Sequence, residues 1–239
     1  MICALIVAGG SGSRMKAPLK KQYLRLNDLP IVSHTLIAFD RHPAVEKIIL
    51  VTPENDREWC QSEIIIPLSL DHDIHVVAGG RRRQASVRNG LEAVGAADAI
   101  VMIHDGVRPF VSPSLMDACL AGVQATGACI PAIPATDTLK QVDENGLITG
   151  TLDRRRIRLA QTPQTFAVDL IRRAHQLAGR HGFIATDDAS VAEFAGERVA
   201  VVPGDPDNIK ITTPQDLALA CAILARRSGE QGSSSSLHG

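Results

Sequence analysis

The chain opens with an uninterrupted apolar run that breaks at once into glycines. Residues 2–8 are all apolar, Gly9-Gly10-Ser11-Gly12-Ser13 follows them directly, and Arg14 and Lys16 come close behind. An apolar run without polar alternation is typical of a strand buried on both faces, as in a parallel sheet covered by helices. Glycines let backbone N–H groups approach an anion, and neighbouring cations offset its charge. The opening segment therefore predicts a phosphate site at the carboxyl end of the first strand, the edge where such sheets bind ligands.

The glycine spacing excludes two common phosphate-binding motifs. A Walker A loop would need its second glycine at position 14 or 15, which hold Arg14 and Met15. A dinucleotide-binding fingerprint would use Gly10 and Gly12 but finds Met15 at its third glycine position. The segment alone leaves a plain glycine-rich hairpin open as the alternative.

Strand-like and helical patterns alternate along most of the chain, which predicts an α/β fold with a doubly wound, mostly parallel sheet. The domain is expected to span residues 1–227, followed by a disordered, serine-rich tail at 228–239. The predicted strands are Ile2–Ala8, Lys47–Thr52, His75–Val77, Ala99–His104, Ala128–Ile133 and Val199–Val202. The predicted helices are Pro30–Asp40, Glu54–Glu63, Arg83–Val94, Pro113–Thr126, Val168–Ala178, Asp188–Ala195 and Pro214–Arg227.

One stretch, at about residues 134–157, interrupts this alternation. It is polar and turn-rich, and Asn145-Gly146 between short apolar pairs predicts a β-hairpin. A hairpin inserted into a doubly wound sheet has little local core to bury. It either lies on the surface in water or packs on another subunit, and composition alone leaves both alternatives open.

Composition excludes several classes of partner. The formal net charge is -1, so the chain has no global basic field for nucleic acid or membrane. Aromatic residues make up only 3%, which argues against binding of single-stranded nucleic acid by base stacking. No apolar stretch approaches the length that spans a bilayer. The five cysteines are scattered, odd in number and form no C-x-x-C pair, which favours a reduced, cytoplasmic protein. No nucleic acid and no membrane partner is therefore expected.

Further clusters of the same chemistry follow other predicted strands. Gly79-Gly80-Arg81-Arg82-Arg83-Gln84-Ala85-Ser86 opens a helix after the third strand, which suits an anion or a base edge. His104-Asp105-Gly106-Val107-Arg108 ends the fourth strand. Asp105 there is placed to hold a divalent cation between phosphates, or else simply pairs with Arg108. His104 is interpreted as a buried, hydrogen-bonded histidine.

Three more positions carry weaker signals. Lys20 and Lys21 follow the glycine-rich segment and are either a phosphate-binding pair or a solvated one. Lys210 lies among apolar neighbours in a predicted strand and either reaches outward or points into a polar site. Thr186-Asp187-Asp188 is read most simply as a helix cap.

Taken together, these motifs resemble the 2-C-methyl-D-erythritol 4-phosphate cytidylyltransferases of the non-mevalonate isoprenoid pathway. The resemblance runs in order over roughly residues 2–226, and the ordered set is far more specific than any one motif. The motifs are Ala8-Gly9-Gly10-Ser11-Gly12-Ser13-Arg14-Met15, Lys21-Gln22-Tyr23-Leu24, Gly79-Gly80 with Arg83 and Ser86, His104-Asp105-Gly106-Val107-Arg108-Pro109, Gln161-Thr162-Pro163-Gln164, Thr186-Asp187-Asp188-Ala189-Ser190 and Asp207-Asn208-Ile209-Lys210.

The resemblance implies a Mg²⁺-dependent enzyme that transfers a cytidylyl group from CTP to the sugar phosphate, and a homodimer formed through the hairpin arm. Four residues would act in catalysis: Arg14, Lys21, Arg154 and Lys210. The nucleotide would contact Ala8, Gly9, Gly10, Ser11, Gly12, Ser13, Gly79, Gly80, Ser86, Asp105 and Gly106. The sugar phosphate would contact Arg108, Thr138, Arg154, Thr186 and Lys210, with Arg154 supplied by the partner subunit. Asp105 would help to hold the metal.

The sequence departs from the family pattern in ways that leave some alternatives open. The usual pattern places proline directly before Lys-Gln, whereas here Leu19 and Lys20 separate Pro18 from Lys21, so either Lys20 or Lys21 is the working lysine. A sister family that acts on ribitol 5-phosphate shares the nucleotide motifs and is the nearest rival. A nucleotide-binding regulator without catalysis is a remote alternative, disfavoured because Arg14, Lys21, Asp105 and Lys210 are all present.

Overall fold

A computed structural model of the chain describes residues 1–10 and 20–234. The strands are β1 (Ile2–Val7), β2 (Arg25–Leu26), β3 (Leu29–Pro30), β4 (Lys47–Thr52), β5 (Ile74–Ala78), β6 (Ile100–Asp105), β7 (Ala128–Pro134), β8 (Lys140–Val142), β9 (Ile148–Thr151), β10 (Arg158–Ala160), β11 (Gln164–Ala167) and β12 (Ala200–Pro203). The helices are α1 (Ile31–Asp40), α2 (Arg57–Trp59), α3 (Arg83–Val94), α4 (Pro113–Thr126), α5 (Val168–Arg180), α6 (Asp188–Phe194) and α7 (Pro214–Ser234).

The central sheet has the strand order β10-β7-β11-β6-β1-β4-β5, with β12 paired to β7. Strand β1 lies parallel to both β4 and β6, and β5 continues the parallel arrangement beyond β4. Strand β11 is antiparallel to its neighbours β6 and β7. The predicted doubly wound, mostly parallel sheet is therefore confirmed.

The apolar run of β1 is buried on both faces, as its sequence predicts. Cys3 and Leu5 belong to the core on the side of α3, α5 and α6, whereas Ala4 and Ile6 belong to the core on the side of α1 and α4. Successive strand residues point to opposite faces. A strand with helices on both sides therefore has no position left for a polar residue until it ends.

One predicted helix needs correction, and strand β11 has no counterpart among the predicted strands. The segment predicted as one helix over Glu54–Glu63 consists of a 3₁₀ turn (Glu54–Asp56), the short α2 and a π-helical segment (Cys60–Ile65). The π-helical segment buries Cys60, Ile64 and Ile65 together, a set that regular helical spacing does not keep on one face. Strand β11 was not predicted, because its four residues gain strand structure only by pairing between β6 and β7.

The predicted hairpin is present as the antiparallel pair β8–β9. The Asp143 backbone N–H donates to the Leu147 carbonyl (2.9 Å), and Gly146 adopts a positive φ of 80°. That conformation favours glycine, which explains the Asn-Gly turn. Strand β10 follows the hairpin and returns the chain to the central sheet beside β7.

The last helix is longer than predicted. Helix α7 continues to Ser234, whereas the sequence predicted that it ends at Arg227. The last five residues of the predicted tail lie outside the described residues. Among the helices of residues 1–10 and 20–234, none has both the length and the apolar character needed to cross a bilayer.

Candidate active site

A cavity of about 340 Å³ opens where β1, β5 and β6 end. The segments that follow these three strands enclose it together with the residues around Lys21 and Lys210. Its lining is Val7, Ala8, Gly9, Gly10, Lys21, Gln22, Gly80, Arg81, Arg82, Arg83, Ser86, Asp105, Val107 and Lys210. Positions far apart in the sequence meet here because the carboxyl ends of parallel strands share one edge of the sheet.

The glycines after β5 allow close packing against the first turn of α3. The Gly80 backbone N–H donates to the Ser86 hydroxyl oxygen at 3.0 Å. A Cβ on Gly80 would lie 2.5 Å from the Ala85 Cβ, and a Cβ on Gly79 would lie 2.9 Å from the Ser86 Oγ. The Gly80 distance is too short for a side chain, so the cavity wall requires glycine at this position, and at Gly79 the Ser86 hydroxyl would have to move.

The structure separates the two adjacent lysines. Lys20 Nζ lies 2.7 Å from both carboxylate oxygens of Asp56. Lys21 lines the cavity instead, where a Cβ on Gly10 would lie 3.4 Å from its Cε and 3.9 Å from its Nζ. Of the two lysines that the sequence left open, Lys21 is the one beside the glycines.

Asp105 stands among three cationic side chains. Arg83 Nε donates to its Oδ1 at 3.1 Å, Lys210 Nζ lies 2.7 Å from its Oδ2, and Arg108 Nε lies 3.8 Å from the same oxygen. Burial alone would raise the pKa of Asp105, but Arg83, Lys210 and Arg108 outweigh burial and hold this pKa well below its usual range. Asp105 therefore stays ionised and fixes the cations at the cavity.

Arg83 also reaches a second buried carboxylate. Its Nη1 lies 2.7 Å from Asp188 Oδ2, and His175 Nε2 lies 3.5 Å from Asp188 Oδ1. The sequence alone indicates Arg83 only as part of a glycine-rich motif and Asp188 only as a residue beside a helix cap. One feature of the sequence points to this pair: Asp188 shares a helical face with Ala189 and Ala192, which predicts a buried carboxylate that needs a partner.

His104 takes part in a hydrogen-bond chain whose directions are all determined. Its Nε2 lies 3.0 Å from the Arg108 carbonyl oxygen, which can only accept, so Nε2 carries the proton. Its Nδ1 then accepts from the Thr162 hydroxyl at 3.0 Å, and the Thr162 oxygen accepts from the Asp105 backbone N–H at 3.2 Å. Burial lowers the pKa of His104 to about 4, so the imidazole is neutral. The interpretation of His104 as a buried, hydrogen-bonded residue is correct.

Lys210 lies in an irregular segment, so its placement in a predicted strand is wrong. The Ile211 backbone N–H donates to the Val107 carbonyl at 2.9 Å, and Arg108 Nη1 donates to the Asn208 carbonyl at 2.6 Å. These bonds tie the segment to the turn after β6. They place the Lys210 ammonium beside Asp105 without any ladder of strand hydrogen bonds.

Several predicted site residues are not among the described residues that line the cavity. Gly106 donates its backbone N–H to the Val7 carbonyl at 2.9 Å and, with Gly79, is not among the described residues that line the cavity. The same holds for Thr138, Arg154 and Thr186, which are exposed; Arg154 donates to the Thr136 carbonyl. Ser11, Gly12, Ser13 and Arg14 lie outside the described residues.

The segment at residues 186–188 does cap a helix, as its simplest reading predicts. The Asp187 side chain accepts from the Ser190 backbone N–H at 2.9 Å at the start of α6. Thr186 lies next to this cap, with its hydroxyl 3.3 Å from that of Ser190.

The donor set fits a cation that arrives with a phosphate ligand. Asp105 is the sole acidic residue among the described residues of the cavity lining. Within residues 1–10 and 20–234, no three His, Cys, Asp or Glu side chains come together as a metal site. Mg²⁺ is usually bound by one or two carboxylates together with substrate phosphates and water. Asp105 meets that requirement only in combination with a phosphate-bearing ligand.

Comparison with known proteins identifies the family. The family model described as IspD, 2-C-methyl-D-erythritol 4-phosphate cytidylyltransferase, matches residues 2–226. The chain belongs to this family. It is therefore a nucleotidyltransferase, and the activity of its family is the cytidylyl transfer that the motifs imply.

Curated relatives and solved structures agree with the family. The cytidylyltransferase of this name from Syntrophus aciditrophicus is 46% identical over 228 residues, 95% of this chain and 97% of the relative. That from Geotalea uraniireducens is 46% identical over 232 residues, 96% of this chain and 99% of the relative.

Two solved structures share the fold. The 4-diphosphocytidyl-2C-methyl-D-erythritol synthase of Anaerococcus prevotii has a TM-score of 0.83 at 33% identity and covers 94% of this chain and 96% of its own. The cytidylyltransferase of Thermus thermophilus has a TM-score of 0.75 at 33% identity and covers 93% and 98%. Because the family and these relatives carry the methylerythritol name, the ribitol 5-phosphate alternative is not favoured.

Proposed function

We propose that the protein joins CTP and 2-C-methyl-D-erythritol 4-phosphate to give 4-diphosphocytidyl-2-C-methyl-D-erythritol and pyrophosphate. The observation that carries the proposal is the cavity at the strand ends. Its walls combine glycine backbone at Gly9, Gly10 and Gly80 with the cations Lys21 and Lys210. Backbone N–H groups and cations around one concave site suit a triphosphate and a second phosphate.

The transfer needs no protein nucleophile. An oxygen of the sugar phosphate attacks the α-phosphorus of CTP, a new P–O bond forms, and the bond to the bridging oxygen of the β-phosphate breaks with its electron pair leaving on pyrophosphate. Negative charge increases on the α-phosphate oxygens in the transition state. Fixed cations stabilise that charge, and binding supplies the in-line geometry.

We assign the charge-stabilising role to Lys21, which lines the cavity, and to Arg14, which lies outside the described residues. Lys210 orients the attacking phosphate from its position beside Asp105. Nucleotide contacts are proposed for Ala8, Gly9, Gly10, Ser11, Gly12, Ser13, Gly79, Gly80, Ser86, Asp105 and Gly106. Acceptor contacts are proposed for Arg108, Thr138, Arg154, Thr186 and Lys210.

Asp105, together with the phosphates of CTP, is the residue that would hold Mg²⁺. The ion would supply positive charge that offsets the triphosphate. Asp105 contributes to the site without the ion as well, because it keeps Arg83 and Lys210 in place.

We further propose that the hairpin β8–β9 forms a homodimer and delivers Arg154 to the partner subunit. The hairpin exposes apolar side chains, among them Val142, Leu147 and Ile148, which are 59%, 65% and 65% exposed. Exposed apolar clusters of this kind mark interfaces. Arg154 follows the hairpin in a 3₁₀ turn and is itself exposed.

A reducing, cytoplasmic location completes the proposal. Cys3, Cys60, Cys119 and Cys129 are buried and free, and Cys221 is exposed and free. Free cysteines, one of them accessible, suit a compartment that keeps thiols reduced.

The test of the activity is pyrophosphate release with CTP, Mg²⁺ and each sugar phosphate in turn. Release with methylerythritol phosphate and not with ribitol 5-phosphate is the expected result. Preferred use of ribitol 5-phosphate would contradict the proposed acceptor, and no release with either acceptor would contradict the proposed reaction.

The test of the shared site mixes two inactive variants, Arg154→Ala and Arg14→Ala. If Arg154 acts on the partner's site, some sites of the heterodimer combine both wild-type residues and activity returns. Arg156→Ala, in the same 3₁₀ turn, is the matched control and should retain activity. No recovery in confirmed heterodimers would show that Arg154 acts within its own subunit.

A further inference from the structure

We propose that Asp56 is a positioning residue for the cytidylyl transfer, because it holds the segment Lys20–Tyr23 in the place from which Lys21 and Gln22 line the cavity. The inference rests on the proposed function, since it concerns the same cavity. Asp56 itself is not among the described residues that line the cavity, so it acts through the segment that it binds.

Asp56 accepts three hydrogen bonds from the two ends of this segment. Lys20 Nζ donates to both of its carboxylate oxygens at 2.7 Å, and the Tyr23 hydroxyl donates to Oδ2 at 2.8 Å. Cys60 Sγ in turn donates to the Tyr23 oxygen at 3.2 Å, and the Trp59 ring packs edge-on against Tyr23 with centroids 4.7 Å apart. The contacts all come from the segment between β4 and β5.

The tyrosine side of these contacts is shielded from water, so its hydrogen bonds are stronger than those of a surface pair. Tyr23 is 6% exposed, Cys60 is fully buried, and the Asp56 side chain is 15% exposed. Burial, with Cys60 and Asp56 beside it, raises the pKa of Tyr23, so the hydroxyl remains a donor. The Lys20 side chain is 37% exposed, which leaves the tyrosine as the better shielded half of the anchor.

The local backbone explains why neighbouring residues have different tasks. Lys21–Tyr23 forms a 3₁₀ turn, in which residues three apart lie on the same side. Lys20 and Tyr23 therefore both reach Asp56, while Lys21 and Gln22 between them line the cavity. Gln22 Nε2 donates to the Ala8 carbonyl at 2.7 Å, which ties the segment to the end of β1.

The turn depends on this outside support. It is three residues long, with the Tyr23 N–H bonded to the Lys20 carbonyl at 2.9 Å and the Leu24 N–H to the Lys21 carbonyl at 3.3 Å. A single turn does not hold its conformation without tertiary contacts. Loss of the Asp56 carboxylate would release Lys20 next to the cavity and let Lys21 move away from the α-phosphate. Misplacement of a reacting group by about 1 Å costs on the order of 10²-fold in rate.

The experiment compares Asp56→Asn, Lys20→Met and Asp56→Glu with the wild type in steady-state kinetics. We expect Asp56→Asn to lower kcat roughly 10–100-fold while KM for the sugar phosphate stays within about twofold, because only the lysine position changes. Asp56→Glu, which keeps the charge, should recover part of the rate. Glu54→Gln changes another acid in the same 3₁₀ turn and should match the wild type.

A double-mutant cycle and a spectroscopic signal separate positioning from general destabilisation. Combining Lys20→Met with Asp56→Asn should lower kcat no further than Asp56→Asn alone, because both changes remove one anchor. Trp59 is the only tryptophan in the chain and contacts Tyr23, so its fluorescence emission should shift in Asp56→Asn. The unfolding midpoint of Lys20→Met should stay close to that of the wild type.

The outcomes are distinguishable from failure of the proposed function. A wild-type protein that releases no pyrophosphate contradicts the proposed function itself. An active wild type with unchanged kcat in both Asp56→Asn and Lys20→Met overturns only the positioning role. A loss of kcat in the double variant that equals the product of the two single losses also overturns it, because Asp56 and Lys20 would then act independently.

Discussion

The hydrogen-bond chain through Thr162 yields a sharp prediction about stability. The Thr162 hydroxyl donates to His104 Nδ1 and accepts from the Asp105 backbone N–H. Thr162→Val keeps the shape of the side chain but removes both bonds. All three residues are buried, so water cannot replace the lost partner.

The magnitude follows from counting the groups left without a partner. Two buried groups lose the hydrogen bond to the Thr162 hydroxyl: the acceptor His104 Nδ1 and the donor N–H of Asp105. An unsatisfied buried group costs about 1–3 kcal/mol. We therefore expect Thr162→Val to lower the free energy of unfolding by about 3 kcal/mol. For a chain of this size that loss corresponds to roughly 6–12 °C in Tm.

The assay is urea unfolding followed by circular dichroism at neutral pH. Thr162→Ser retains the hydroxyl and is the matched control, expected to lose less than about 1 kcal/mol. The ¹⁵N signals of His104 should report a proton on Nε2 in the wild type. A Thr162→Val variant as stable as Thr162→Ser would refute the assigned directions of the chain, as would a His104 protonated on Nδ1.

Three further predictions follow from the same site. Burial lowers the pKa of His104 to about 4 in the folded protein, against about 6.5 in the unfolded chain, so its contribution to stability is lost as pH falls through this window, at about 1.4 kcal/mol per pH unit. The difference in unfolding free energy between the wild type and His104→Gln should therefore narrow between pH 7 and pH 4 in urea unfolding. A difference that does not depend on pH would contradict the neutral imidazole. Gly80→Ala places a Cβ 2.5 Å from that of Ala85 and should raise KM for CTP at least about tenfold. Gly179→Ala, in an open helical position, should leave this KM unchanged. Equal KM values for the two variants would refute the steric argument. Lys210→Met should lower kcat roughly 10²–10³-fold, and a rate near that of the wild type would remove Lys210 from the mechanism.

The sequence predicts those parts of the fold that depend on local patterns. The bounds of β4, α3 and α4 agree with the prediction residue for residue, because apolar runs and helical periodicity identify such elements directly. Helix α4 also begins at a proline after Ser112, whose hydroxyl accepts from the Leu115 N–H. Strand β11 was missed, because four residues without a distinctive pattern become a strand only through their neighbours.

The candidate site follows the same division. Glycines and cations at the ends of predicted strands identified most of the cavity lining, because parallel strands bring their carboxyl ends to one edge. The partners of Arg83 were not predictable, since Asp105 and Asp188 lie 22 and 105 residues away from it in the sequence. No local spacing rule connects residues at such separations.

The sequence by itself determined the fold class and the family and predicted the edge of the sheet at which the cavity lies, since each depends on residue types in a fixed order along the chain. Only the tertiary structure decided which lysine faces the cavity: Lys20 binds Asp56, and Lys21 lies beside Gly10. It also decided that Asp105 holds Arg83 and Lys210 together. The physical reason is that a charge finds its partner through space, and the partner is fixed only when the strands and turns have packed.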